Sequence, residues 1–198
     1  MTSLADLSRQ HSSLDGDDID HLQRLGAEWG FLADLCFADL MLYVRSNDEK
    51  WVVVDQVRPA TNQTMFVADY IGTWATNSAD LLEKAAATGE TLEGEISASG
   101  SGDASTRMMA IPVRREGRVV AVLSKEWKVQ DGRSLGELER AYNIIFDKFV
   151  LMINAGTFPF AGLVADSSAA PRIGDGVLML DANGTVTYVS PNANSALH

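Results

Sequence analysis

Two stretches of the chain carry apolar residues at steps of three and four. In the first, Ile19, Leu22, Leu25, Trp29, Leu32 and Cys36 form one stripe, with Asp20, Gln23, Arg24 and Glu28 off it. This spacing predicts an amphipathic helix capped by Asp17 or Asp18 and running to about Phe37. In the second, Leu135, Leu138, Tyr142, Ile145, Phe149 and Met152 predict a helix from near Ser134 to Gly156, stopped before Pro159. Phe146 and Ile153 widen its apolar face beyond what one sheet surface needs.

Between the helices the period changes to that of strands. Leu40 to Val44 and Trp51 to Val57 flank the polar turn Ser46-Asn47-Asp48-Glu49 and read as an antiparallel hairpin. Arg58 to Thr64 reads as a loop because Pro59 removes a ladder donor, and Thr64 to Tyr70 as a short strand. Asn77 or Ser78 caps a short helix through Ala87, closed by Thr88-Gly89. Ser97 to Ser105 has almost no apolar content and reads as a mobile loop. Arg107 to Pro112 and Arg118 to Lys125 then form a second hairpin about Arg114-Arg115-Glu116-Gly117. Small and polar residues from Pro159 to Pro171 mark a linker. A last hairpin follows, Val177 to Leu180 and a strand with Val186 and Tyr188, joined at Asp181-Ala182-Asn183-Gly184. Antiparallel pairs with helices gathered at the two ends predict an α+β fold, one sheet with helices laid on it. A lone hairpin is unstable in water, so an ordered tail requires Val177, Met179, Val186 and Tyr188 to be buried against the preceding domain or a neighbouring chain.

Composition adds little to this picture. Of 198 residues, 46% are hydrophobic and 22% charged, ordinary for a globular protein. A net charge of -11 argues against a direct grip on nucleic acid or anionic lipid. No apolar run is long enough to span a bilayer, and Met1-Thr2-Ser3-Leu4-Ala5-Asp6 does not read as a signal peptide. The single cysteine, Cys36, leaves no internal disulfide and fits a reducing compartment, so the expected location is cytoplasmic.

The chain is poor in catalytic patterns. His11, His21 and His198 have no partners at metal-ligand spacing, and His21 reads as a half-exposed surface residue. Cys36 reads as a small buried hydrophobe. Ser99-Gly-Ser-Gly-Asp lacks the parts of a phosphate loop, and no nucleophile elbow is present. The carboxylate pairs Asp17-Asp18 and Glu93 with Glu95 read as solvated surface. A small enzyme is therefore disfavoured. A ligand pocket is the remaining candidate: Trp51, Phe66, Tyr70 and Trp74 supply apolar lining near polar Asp55, Arg58 and Thr61, with Arg107 and Met109 entering from the second hairpin.

Two segments resemble known signalling domains. The stretch Met108-Met-Ala-Ile111-Pro112-Val113 to Ala121-Val122-Leu123, followed by a long amphipathic helix, resembles the closing strands of GAF domains. The tail, Gly176-Val-Leu-Met-Leu-Asp181 through Gly184 and Tyr188 to Ser190-Pro191-Asn192-Ala193, resembles the first hairpin of a PAS domain. In order along the chain, Ala38-Asp39, Arg58-Pro59-x-Thr61, Asp69-x-x-Gly72, Gly156-Thr-Phe-Pro159 and Pro171-Arg-x-Gly174-Asp-Gly176 resemble the amino-terminal region of actinobacterial cytosolic sensor histidine kinases of the PdtaS type.

That resemblance implies a GAF-like sensor domain over residues 1–156, a linker over 157–172 and a truncated start of a PAS domain over 173–198. It implies a homodimer through the long helices, kinase domains downstream in the parent chain, and an antiterminator-type response regulator as that kinase's partner. The phosphoacceptor and ATPase regions of such kinases have no counterpart here, and none of the three histidines matches the phosphoacceptor motif, so no catalytic residue is implied. GAF ligands include cyclic nucleotides, tetrapyrroles and small metabolites. Cys36 is poorly placed for a bilin thioether and no histidine suits haem, which leaves the cofactor unassigned. The expected function is a non-catalytic sensory and dimerisation region. The alternative is a stand-alone GAF-like interaction module without a ligand.

Overall fold

In the computed structural model, which describes residues 3–60, 64, 66, 68–96, 106–128, 136–160 and 172–197, the strand signals condense into one antiparallel sheet. Its strands are β1 (Asp39–Arg45), β2 (Trp51–Val57), β3 (Leu92–Ile96), β4 (Thr106–Arg115) and β5 (Arg118–Lys128), in the order β2-β1-β5-β4-β3. β4 and β5 are joined by the two-residue turn Glu116-Gly117, both at positive φ. This is the backbone twist that a tight hairpin requires, and Gly117 adopts it without steric cost.

Both faces of the sheet are covered. Helices α2 (Gly16–Cys36) and α4 (Glu137–Ala155) pack on each other across one face, burying Leu25, Leu32, Tyr142, Phe146 and Ile153 with Leu40, Leu42, Ile111 and Leu123 of the strands. Phe146 and Ile153 are fully enclosed, so the chain itself absorbs the extra width of the α4 face. The large apolar residues of α4 that stay exposed are Leu138, Ile144 and Leu151. Lys125 also points to this side, its Nζ lying 5.0 Å from the Phe146 ring and 5.1 Å from that of Trp127. On the opposite face α3 (Ala79–Thr88) buries Leu82 and Ala85 against Met41, Tyr43, Trp51, Val53, Met108, Ala110 and Val122.

Several expectations are corrected. An additional helix precedes α2: Ser3 caps α1 (Leu4–His11) through reciprocal hydrogen bonds with Asp6, and α1 packs on α2 and β2. A two-turn helix is too short to show a clear period. Among the described residues of 64–70 there is no strand. Glu93 and Glu95 are exposed as expected, yet they lie on edge strand β3. His21 is buried, its ring hydrogen-bonded to the Arg114 backbone; burial, with Arg24 and Arg115 nearby, holds it below the usual histidine range. Asp17 is exposed, but Asp18 is only 1% exposed. Its carboxylate accepts hydrogen bonds from Arg115 (3.0 Å) and Arg118 (3.1 Å), fastening the start of α2 to the β4–β5 hairpin. The loop read at 97–105, Thr61, and most of the linker lie outside the described residues.

The tail is ordered against the domain. After a 3₁₀ turn at Ile173–Asp175 come β6 (Leu178–Leu180), β7 (Val186–Val189) and α5 (Pro191–Ala196). Ile173 and Val177 are buried in the helix-side core, and Met179 and Tyr188 pack against it, the Tyr188 ring edge-on to Tyr142. Val186 is not buried; with Leu178, Leu180 and Val189 it forms an exposed outer face.

Asp18 supplies a stability test. Burial alone would raise its pKa, but the hydrogen bonds from Arg115 and Arg118 outweigh this and lower it. Its contribution is therefore present above the unfolded carboxylate value and lost as pH falls through the folded one. Asp18→Asn is expected to cost about 2 kcal/mol in urea denaturation at pH 7, and Asp17→Asn less than about 0.5 kcal/mol.

Candidate functional site

The face of the sheet under α3 carries polar side chains that an ordinary core would not. Asp39 and Tyr43 of β1, Ser124 and Glu126 of β5 and Thr106 of β4 are all buried. Alternation explains their common side: residues at even spacing along a strand share a face, so Ser124 and Glu126 follow Val122, and Asp39 and Tyr43 flank Met41. Asp39 and Glu126 are cross-strand partners in the β1–β5 register. The Ser124 hydroxyl donates to Glu126 Oε1 (2.9 Å), and Tyr43 Oη lies 3.3 Å from the same oxygen. Ser78, which begins α3, is hydrogen-bonded to Tyr43. Thr64 Oγ1 donates to Asp39 Oδ1 (2.5 Å).

Phe66 and Tyr70 cover part of this face, their rings edge-on at 5.1 Å. Arg58 orders their segment: its Nε donates to the Phe66 carbonyl (3.2 Å) and its Nη2 to the Ala68 carbonyl (3.0 Å) and Asp69 (2.7 Å). The Tyr70 amide donates to Gln56 Oε1 (2.9 Å). Trp51 lies deeper and holds α3, its indole N–H donating to Glu83 (3.1 Å).

The structure thus brings Trp51, Phe66, Tyr70 and Arg58 together and separates the other four residues. Asp55 faces the long helices, beside Gly26 of α2, where a Cβ would sit 3.3 Å from its Oδ2. The cause is a bulge: Leu42 pairs with Asp55 and Tyr43 with Val53, so Val54 is an extra residue that reverses the alternation. Met109 packs on the helix-side core, and Arg107, one step of the same parity away, pairs with Glu93 at 3.8 Å. Consecutive methionines hid which parity of β4 faces which layer. Trp74 bridges to Val52 at the sheet edge, 43% exposed, with His11 against its ring at 5.2 Å. The buried polar set was missed, although Ser124-x-Glu126 directly after the apolar run 119–123 was a readable signal. Cys36 is the inert residue expected, its thiol pushed up to about 12 by burial.

Comparison with known proteins places this architecture. Residues 4–145 match the family described as the GAF domain of histidine kinase PdtaS. The chain belongs to that GAF family. The GAF chain is 40% identical over 202 residues to the sensor histidine kinase PdtaS of Mycobacterium tuberculosis (strain CDC 1551 / Oshkosh) and 38% identical to that of Mycolicibacterium smegmatis (strain ATCC 700084 / mc(2)155). In both cases all of it is aligned, and it spans 40% of the length of these relatives. A solved structure of the sensor region of a sensor histidine kinase superposes with a TM-score of 0.81 at 38% identity, covering 99% of this chain and 68% of that one. Among the described residues no helix is long and apolar enough to cross a membrane.

Within the GAF sheet the buried carboxylates carry an electrostatic cost. Burial, with a smaller contribution from Asp39, pushes Glu126 up to about 7, and burial pushes Asp55 up to about 6 on the other face. Burial and the neighbouring Glu126 likewise push the Tyr43 phenol well above its usual range. The sign for Glu126 follows directly. The folded chain keeps a proton that the unfolded chain releases between pH 4.5 and about 7, so stability falls as pH rises through that window. Glu126→Gln is expected to flatten this dependence, leaving stability near pH 4.5 little changed and raising it at pH 8 by on the order of 2 kcal/mol, measured by urea denaturation at the two pH values.

Proposed function

We propose that this chain is the sensory and dimerisation region of a cytoplasmic two-component sensor histidine kinase. In this reading residues 1–156 form the GAF sensor, 157–172 a linker and 173–198 the start of a PAS domain. A small ligand, or a change of packing under α3, alters the sheet and is passed through the tail to kinase domains further along the parent chain. The parent kinase in turn signals to an antiterminator-type response regulator.

The observation that carries the reading is the two-sided tail. Its inner residues Ile173, Val177, Met179 and Tyr188 are joined to the helix layer, whereas Leu178, Leu180, Val186 and Val189 present an apolar outer face. Such a face suits further strands of a PAS domain, and the inner contacts give the sensor a mechanical hold on whatever follows. The buried polar set on the opposite side of the sheet supports a ligand whose groups would engage Tyr43, Ser124 and Glu126.

The alternative, a dimerisation module without a ligand, draws on a different observation. Ile144 (54% exposed) and Leu151 (71% exposed) lie two turns apart on one side of α4, a spacing suited to a second helix. Dimerisation belongs to both readings, and the ligand separates them. Ile144→Glu with Leu151→Glu is expected to convert a dimer to a monomer in light scattering while the circular dichroism spectrum is retained. Replacing Ala110, fully buried under α3, by Phe is expected to change autophosphorylation of the parent kinase by roughly fivefold if the α3 side is the sensing side. An unchanged rate in a folded variant would favour the interaction module.

A further inference from the structure

We propose that Asp34 is the residue that couples the segment covering the α3 side of the sheet to the tail. It lies in the last turns of α2 and is 1% exposed. Among the described residues, two groups from distant parts of the chain meet on its carboxylate. The Ala60 amide, two residues beyond Arg58, donates to Oδ1 at 2.7 Å. Arg172, immediately before the 3₁₀ turn of the tail, donates through Nη2 to the same oxygen at 3.1 Å and lies 3.0 Å from Oδ2.

The surroundings make this junction specific. The Arg172 guanidinium lies over Gly30, where a Cβ would come within 2.4 Å of Nη1, so a side chain at that position would displace the guanidinium from its present place. The Arg172 backbone amide is held by Asp175 (2.8 Å), and Ile173 next to it is buried in the core. A movement of Arg172 is therefore a movement of the whole tail attachment. On the other arm, Ala60 follows Arg58, whose side chain holds Phe66, Ala68 and Asp69 in place. A rearrangement of Phe66 and Tyr70 reaches Ala60 through two residues of backbone.

Both partners require one orientation of the same carboxylate. Arg172 fixes it by a charge-assisted hydrogen bond, and the Ala60 amide fixes it by a short one, so each helps to form the other's acceptor. The coupling is therefore positive: loosening the covering segment loosens the tail, and the reverse. This inference rests on the reading that the chain transmits from sheet to tail, but it concerns a property of residues 1–198 alone and needs neither a ligand nor kinase activity.

Hydrogen–deuterium exchange of the intact chain tests it. Ala60→Pro removes the donated amide without touching the tail, and exchange over residues 173–190 is expected to rise about fivefold. Arg172→Gln and Gly30→Ala, which remove or displace the guanidinium, are expected to accelerate exchange at Ala60 and over 68–72 by a similar factor, about fivefold. Protected amides of β1 and β5 monitor folding; if Ala60→Pro fails to fold, the two tail-side variants carry the test. Exchange changes confined to the mutated arm in folded variants, or slowed on the far arm, would overturn the proposal. A coupling found here with an unaltered parent kinase would instead count against the sensor reading and leave the coupling standing.

Discussion

Strand β5 lies at the centre of the sheet, between β1 and β4, and its alternation divides the domain into two chemistries. Ala121, Leu123 and Lys125 face the long helices; Val122, Ser124 and Glu126 face α3. The pairing with β1 is non-local, joining residues such as Tyr43 and Glu126 that are 83 positions apart. Until it forms, neither layer has a surface to cover. A slip of one residue in this register would bring Ser124 and Glu126 beneath Phe146 and carry Leu123 to the α3 side, exchanging the dry layer for the polar one.

The two layers therefore serve different ends. The helix side is broad and apolar, and it absorbs α1, α2, α4 and the inner side of the tail into one core. The α3 side is thinner and holds hydroxyls and carboxylates at a free-energy cost, visible in the raised pKa of Glu126. Groups of this kind are retained at a stability penalty where a function uses them. The junction at Asp34 gives the polar layer a route past the sheet edge to the tail without disturbing the apolar core between them.

Much of this was legible from periodicity. The stripes from Ile19 to Cys36 and from Leu135 to Met152 became α2 and, from Glu137 on, α4, with Ser134 and Leu135 outside the described residues, and Trp51–Val57 was read with its observed bounds. What escaped was parity and pairing. The bulge at Val54 depends on the partner strand, so sequence alone put Asp55 on the wrong face. Met108 and Met109 are both apolar, and only the β4–β5 register distinguishes them. Asp18 and His21 looked like surface residues because the groups that bury them, Arg114, Arg115 and Arg118, arrive from nearly 100 positions away. The aromatic members of the candidate site stand out in the sequence as rings; Tyr43, Ser124 and Glu126 come together only once strands are paired.

The packing of the tail also bears on how such sensors are dissected. The stretch matched by the GAF family ends at residue 145, in the middle of α4, yet the core built on that helix continues through Ile153 and Phe158 to Ile173 and Val177. The boundary of the family match thus falls inside the cooperative unit, while the similarity to relatives runs through the whole chain. A fragment trimmed to the end of the family match would lose half a helix and leave Trp29, Leu32 and Tyr142 beside an opened core. Its instability would then be a property of the cut, and domain swaps between such sensor regions should join chains beyond β7, where the shared core has ended.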